Sequence, residues 1–211
     1  MNLRRESVSE VLRILESGDF DNILGVREGL QIEFKERLDL KNDKQKLAKT
    51  AASLANTDGG LIVVGVGSER DPATRTDYAS KLIFSNSPDV GAYYRALSGL
   101  LYPPARITID VFGNAPNQLV AIRVGRIEAD YYPVLVTNTV SENLSGGSIF
   151  GYYKRTEEES IPVTHAQIHS LLRAGEKFQD LSDLRDAMVK IAENTTAIGE
   201  QLKVLINEKR L

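Results

Sequence analysis

Residues 52–66 read Ala-Ser-Leu-Ala-Asn-Thr-Asp-Gly-Gly-Leu-Ile-Val-Val-Gly-Val. The opening residues complete a helical pattern that carries Leu47, Ala51, Leu54 and Ala55 on one inner face. Asn42 or Asp43 can cap that helix at its start, and it runs to about Asn56. Gly59-Gly60 stops it, because glycine adopts the left-handed conformation that ends helices without steric cost. Leu61 to Val66 is then a short, continuous, β-branched apolar run, the pattern of a central strand buried on both faces.

Working outward, Ser7-Val8-Ser9-Glu10 has the spacing of a capping box. Val8, Val11, Leu12 and Leu15 follow at helical intervals until Gly18. Residues 30–35 alternate, with Leu30, Ile32 and Phe34 on one face and Gln31, Glu33 and Lys35 on the other, which predicts a half-buried strand. Residues 67–86 are polar and irregular and read as a long loop. Ser87-Pro88 opens a third helix to about Leu100, and Pro103-Pro104 breaks it. Residues 106–111 and 118–124 are alternating strands joined by Gly-Asn-Ala-Pro-Asn, a hairpin signal. Residues 133–137 and 148–154 read as further strands, and Thr164 caps a short helix to about Arg173.

The last segment differs in kind. Leu181, Leu184, Met188, Ile191, Thr195, Ile198, Leu202 and Leu205 alternate spacings of three and four. A single helix packed on its own domain would use a 3.6-residue period and a wider stripe; this narrow 3.5 seam predicts self-association through a coiled coil. The seam mixes Leu, Met and Ile, so it leaves the oligomer number open. The expected organisation is a domain over residues 1–175 and an oligomerisation helix over residues 176–211.

Composition narrows the function classes. With 42% apolar residues the chain can bury a core, and no apolar run approaches the length of a membrane span. The amino-terminal sequence has two arginines but no apolar stretch behind them, unlike a secretory signal. The absence of cysteine rules out disulfides, thiolate zinc sites and a cysteine nucleophile, and it suits a cytoplasmic location. A net charge of −3 argues against a non-specific duplex binder. Locally the balance reverses: Lys35, Arg37, Lys41, Lys44, Lys46 and Lys49 face only Glu36, Asp39 and Asp43. Such a run is either a solvated helix face or a cationic patch.

Two motifs carry a family resemblance. Glu28-Gly29-Leu30-Gln31-Ile32-Glu33-Phe34-Lys35 resembles the E-x4-E-F-K signature of Schlafen proteins and their bacterial relatives. The 52–66 stretch is similar to that family's helix, Asn-Thr-x-Gly-Gly turn and apolar strand ending in Gly-Val. Tyr102-Pro103-Pro104, the strand ending at Val124, Pro133 and Tyr152-Tyr153-Lys154-Arg155 are weaker echoes in the same order. The resemblance implies a Schlafen AlbA-like α+β fold, a mixed sheet flanked by helices, with a groove facing nucleic acid. It also implies, for some members, cleavage of RNA or DNA by three acidic residues and a divalent metal, Mg²⁺ or Mn²⁺. The first two acids fall on Glu28 and Glu33. The third position, after Gly-Val, is Gly67, followed by Ser68 and Glu69. Glu69 is the candidate to replace the missing ligand, with Asp71 and Asp58 behind it.

The residues themselves support two chemistries at once. Glu33 and Lys35 are two apart on a strand and share a face. A carboxylate can hold a hard cation while an adjacent lysine orients water or offsets charge on a phosphate; equally, the two can form an ordinary surface ion pair. Gly29 gives Glu28 a permissive backbone for turning back toward the same ion. Asn56, Thr57, Gly59 and Gly60 either end a helix or let backbone approach phosphates closely. Tyr153, Lys154 and Arg155 suit base stacking and phosphate contact, or strand packing, while Glu157-Glu158-Glu159 would repel a polyanion. His165 and His169 sit one helical turn apart without the Glu of a zinc-protease helix, and read as exposed surface. Gly65-Val66-Gly67 lacks the third glycine of a dinucleotide loop, and no G-x4-G-K-[ST] occurs. The expected function is nucleic-acid binding, with metal-dependent cleavage through Glu28, Glu33, Lys35 and Glu69 as an attached activity. The alternative is an oligomeric scaffold or regulatory component of a larger complex.

Overall fold

The protein is described by a computed structural model, in which residues 3–128, 133–137, 151–156 and 160–162 are described. The expected short helix after Thr164, with His165 and His169, and the expected coiled coil at 181–205 lie outside the described residues.

Among the described residues three α-helices, α1 (Val8–Ser17), α2 (Lys44–Ala55) and α3 (Val90–Ser98), and a short 3-10 helix (Phe20–Ile23) accompany ten strands. The strands are β1 (Ile32–Lys35), β2 (Gly60–Val64), β3 (Val66–Arg70), β4 (Asp77–Leu82), β5 (Leu101–Tyr102), β6 (Ile107–Phe112), β7 (Leu119–Val124), β8 (Leu135–Val136), β9 (Gly151–Arg155) and β10 (Ser160–Pro162). The fold is α+β. A central sheet has the order β1-β2-β7-β6, a second has the order β10-β9-β8-β5, and β3 and β4 form a separate hairpin. The strands β1 and β2 are parallel, joined through α2, and every other pairing between these strands is antiparallel. Among the described residues no helix is long and apolar enough to cross a membrane.

The alternation of side chains along β2 divides the interior in two. Leu61 and Val63 join Val11, Leu15, Ile23, Phe34 and Leu119 on the α1 side. Ile62 and Val64 join Leu47, Leu54, Leu97, Val120 and Ile122 on the α2 side. The capping box on α1 is made as the sequence predicts: Ser7 Oγ accepts from Glu10 N–H, and Glu10 accepts from Ser7 N–H at 2.7 Å. Gly18 closes the helix at φ +80°.

Four local readings change. The helix α2 is buried on more than its Leu47–Leu54 face: Ala48, Thr50, Ala52 and Ser53 are buried too. Small residues there permit close approach of the second sheet, which the helical periodicity alone does not announce. The strand β1 begins at Ile32 and is not half-exposed, since Glu33 is only 6% accessible. The apolar run beginning at Leu61 breaks at Gly65, whose φ of +101° turns the chain from β2 into β3. Finally, residues 67–86 contain most of a hairpin rather than a long loop. The Asp71 carboxylate organises its turn by accepting from Ala73 N–H at 3.1 Å and Thr74 Oγ1 at 2.6 Å. The hairpin buries little beyond Val66, Gly67, Thr76 and Ala79, so its composition stays polar and hides the strand pattern.

The double glycine is a point of close packing. Gly59 has φ +73°, and a Cβ there would lie 2.7 Å from Val124 O and 2.8 Å from Arg126 N. A Cβ on Gly60 would strike the backbone carbonyl of Gln31. Just before them, Asn56 ties the end of α2 to the second sheet: its Nδ2 donates to Val134 O at 2.7 Å and Tyr153 O at 3.1 Å, and its Oδ1 accepts from Val134 N–H at 2.7 Å. Asn56→Asp removes both donors and buries a charge, and should cost about 3 kcal/mol in urea unfolding; an unchanged midpoint would refute this role for Asn56.

Candidate functional site: a buried acid pair closed by arginine

The turn before β1 is held by Gly29 N–H donating to Ile32 O at 3.1 Å. Beyond it, Phe34 N–H donates to Glu28 Oε1 at 2.9 Å, which brings Glu28 back beside the strand. Gly29 adopts no positive φ, and a Cβ on it would meet nothing within 4 Å. The return of Glu28 therefore depends on its carboxylate capping Phe34 and not on glycine freedom. Glu33 projects from β1 toward the second sheet, since its register partner Ile62 lies in the α2-side core.

Arg155 fills the space between the two acids. It comes from β9, whose inward residues Gly151, Tyr153 and Arg155 are all buried. Its Nη2 pairs with Glu33 Oε2 and lies 3.8 Å from Glu28 Oε2. Its Nε donates to Gly29 O at 3.0 Å and Nη2 to Ile32 O at 3.4 Å. Arg155 N–H donates to Thr57 Oγ1 at 3.2 Å, and Thr57 donates in turn to Ser53 O. Lys35 Nζ pairs with Glu33 Oε1 on the more open side, where the lysine side chain is 29% accessible. The whole cluster is thus locked by charge-assisted hydrogen bonds in a low-dielectric setting.

The structure brings Glu28, Glu33, Lys35 and Arg155 together, but it keeps Glu69 apart. Glu69 is exposed on β3 and accepts from the Tyr78 hydroxyl at 3.3 Å. Asp71 is engaged in its own turn and lies 3.7 Å from Arg27, and Asp58 pairs with Arg126 at 3.6 Å. The expected third position, Gly67, is also occupied: a Cβ there would press on the Lys81 side chain and sit 2.9 Å from Glu36 Oε1. Lys81 and Glu36 form an ion pair at 2.6 Å. Among the described residues no three acidic or histidine side chains gather in a metal-binding group. The two acids that do meet already face a guanidinium and an ammonium. The two cations leave no net negative charge to hold a divalent ion, and no third acid among the described residues completes a ligand set, so these residues do not fit the Mg²⁺ or Mn²⁺ centre expected of Glu28, Glu33 and Glu69.

The residues expected to contact nucleic acid are placed as follows. Asn56 and Arg155 are buried, and Thr57 is half-buried and committed to Ser53 and Arg155. Gly59 and Gly60 face the chain's own backbone. Tyr153 is buried beneath Lys49, whose Nζ stands 5.2 Å from the ring centroid. Alternation along β9 leaves only Tyr152 and Lys154 of that run pointing away from α2. Lys35 retains partial access to solvent.

Burial, and then the charge of Glu33, push the Glu28 carboxyl up to about 8. Burial would raise Glu33 as well, but Lys35 and Arg155 outweigh it and hold Glu33 below the ordinary carboxylate range. Between the unfolded value of 4.5 and about 8, the folded chain retains a proton on Glu28 that the unfolded chain has released. Glu28 therefore favours folding less as pH rises through that window. Glu33 acts in the opposite sense: its contribution is present above its unfolded value and lost as pH falls through its depressed folded value. Glu28→Gln keeps an oxygen for Phe34 N–H and abolishes the titration. Urea midpoints of the wild type should fall between about pH 5 and pH 8 more steeply than those of Glu28→Gln; parallel profiles would contradict the assignment.

A family model described as Schlafen, AlbA_2 matches residues 28–164. No curated protein matches the chain. Two solved structures are similar to it. The DIP2311 protein from Corynebacterium diphtheriae shares 18% identity over 77% of this chain with a TM-score of 0.45, and this chain covers 32% of its length. The N-terminal domain of a putative ATP-dependent DNA helicase RecG-related protein from Nitrosomonas europaea shares 20% identity over 76% of this chain and 95% of its own, with a TM-score of 0.41. The family match begins at Glu28 itself and takes in the acid pair, the double glycine and β9, well over half of the 211 residues, so the chain belongs to the Schlafen AlbA_2 family.

Proposed function

We propose that this domain binds nucleic acid through its backbone phosphates, using the cations that follow β1, and does not hydrolyse it at the Glu28–Glu33 pair. Membership of the Schlafen AlbA_2 family supports the class of partner. The observation that carries the division of labour is the position of Arg155, which neutralises the acid pair from within the protein. The cations available to a polyanion lie further along. Arg37, Lys41 and Lys44 are exposed, and none has an acidic partner among the described residues. Lys46 is exposed and shares Asp43 at 2.9 Å, a contact that a phosphate can displace at little cost. The net charge of −3 makes such a surface local and its binding modest and sensitive to salt. Assembly through residues 181–205 would multiply these weak contacts in one particle, and a larger complex would do the same.

Fluorescence anisotropy with single-stranded RNA, single-stranded DNA and duplex DNA across a salt series tests the binding. The double variant Lys41→Ala/Lys44→Ala should reduce the slope of log K against log salt by about 1.5. Binding that ignores salt, or a slope unchanged in the variant, would overturn the proposed surface. The same substrates incubated with Mn²⁺ or Mg²⁺ should remain intact; cleavage by the wild type that disappears in folded Glu33→Ala would refute the non-hydrolytic reading.

A further inference from the structure

A crevice lies at the carboxyl ends of the parallel strands β1 and β2. Arg37 and Leu38 line it from the segment after β1, Val64 from β2, Val120 from β7, and Tyr93 from α3, with the 85–87 loop closing one side. Val64, Val120 and Tyr93 are buried, so the floor is apolar.

Several polar side chains at this crevice have no partner among the described residues. Tyr93 is 7% accessible, yet its hydroxyl has no hydrogen-bond partner among the described residues. It is not sealed either, since Arg27 Nε is the only fully enclosed side-chain polar atom among them without a partner. Tyr93 lines the crevice, and its hydroxyl is neither partnered nor fully enclosed. Burial raises its pKa, which keeps it a neutral donor. Asn86 and Ser87 are exposed at the rim with no side-chain partner among the described residues. Arg37 is a cation in the same condition, while the neighbouring Glu36 is matched by Lys81. Apolar walls, neutral donors and acceptors, and one cation at the mouth form the complement of a flat heteroaromatic ring with a polar edge and an attached phosphate. A lipid would leave the amide and hydroxyls unused, and a sugar would gain little from the apolar floor.

We propose that this crevice takes one nucleotide, its base against Leu38, Val64 and Val120, its polar edge at Tyr93 and Asn86, and its phosphate at Arg37. This deepens the nucleic-acid reading above and rests on it for the source of the nucleotide, which is an unpaired residue of a single strand. A free mononucleotide has the same chemistry, and the test separates the two.

The probes are oligo(dA), oligo(dC) and oligo(dT), the dA·dT duplex, and free AMP, CMP, GMP and UMP. Tyr93→Phe removes a single oxygen, and Asn86→Ala changes an exposed residue; both should retain the wild-type melting temperature. Each should weaken single-strand binding about fivefold to tenfold, the effect of one hydrogen bond, and leave duplex binding unchanged. Single-strand binding equal to wild type in both variants would overturn the crevice assignment while leaving the Lys41–Lys44 surface standing. Saturable mononucleotide binding that weakens in Tyr93→Phe, with no polynucleotide bound, would uphold the crevice for a free nucleotide and refute the phosphate-binding surface. Absence of binding by every probe would overturn both.

Discussion

An arginine side chain removed from water is tolerated only where its charge and its hydrogen-bond donors are met, and Arg155 shows what that requirement does to a fold. It is 3% accessible and reaches two carboxylates and two backbone carbonyls, all belonging to residues 28–33. Those partners lie more than a hundred residues earlier in the chain. Removing one side of a buried pair typically costs about 3–5 kcal/mol, because the remaining charge is stranded. The second sheet is consequently tied to the edge of the first at β1, and α2 is trapped between them with small side chains on both sides. Asn56 and Thr57 extend the same seam with neutral hydrogen bonds, so that the end of α2, β8 and β9 form one connected polar network inside an apolar shell.

That network also decides what chemistry the acid pair can offer. Two carboxylates on adjacent segments, one holding its proton and one ionised, are the kind of pair that acid–base or metal-dependent enzymes use. Here the ionised member already faces Arg155 and Lys35, and no third acid among the described residues joins it. The position where family resemblance places that third acid is a glycine overlain by the Lys81–Glu36 pair. The acid signature has been drawn into holding the molecule together. Groups free to meet a ligand lie at the other end of the strand, where Arg37, Tyr93 and Asn86 surround an apolar crevice and the lysines of the following segment stand in solvent.

Much of the secondary structure was legible locally. The capping box at Ser7 and Glu10, the glycine stop after α2, the buried β2 run and the 107–124 hairpin are each specified by neighbours within a few residues, and each is found close to where the pattern puts it. The β3–β4 hairpin escaped because it buries little, so polar composition masked its alternation. In the candidate site, the proximity of Glu28 and Glu33 was readable from the motif. Their closure by Arg155 was not, since Tyr152-Tyr153-Lys154-Arg155 reads the same whether it faces solvent or the interior.

The sequence by itself determined the family, the α+β class, the helix and strand signals and the meeting of the two acids at one turn, because all of these depend on short-range pattern. Only the tertiary structure decided which polar residues are spent on the fold and which remain for a partner. That distinction rests on burial, and burial is set by what arrives from elsewhere in the chain: β9 over Glu33, β7 against Gly59, and Lys81 beside Gly67. An amino acid's neighbours in sequence carry no record of those arrivals.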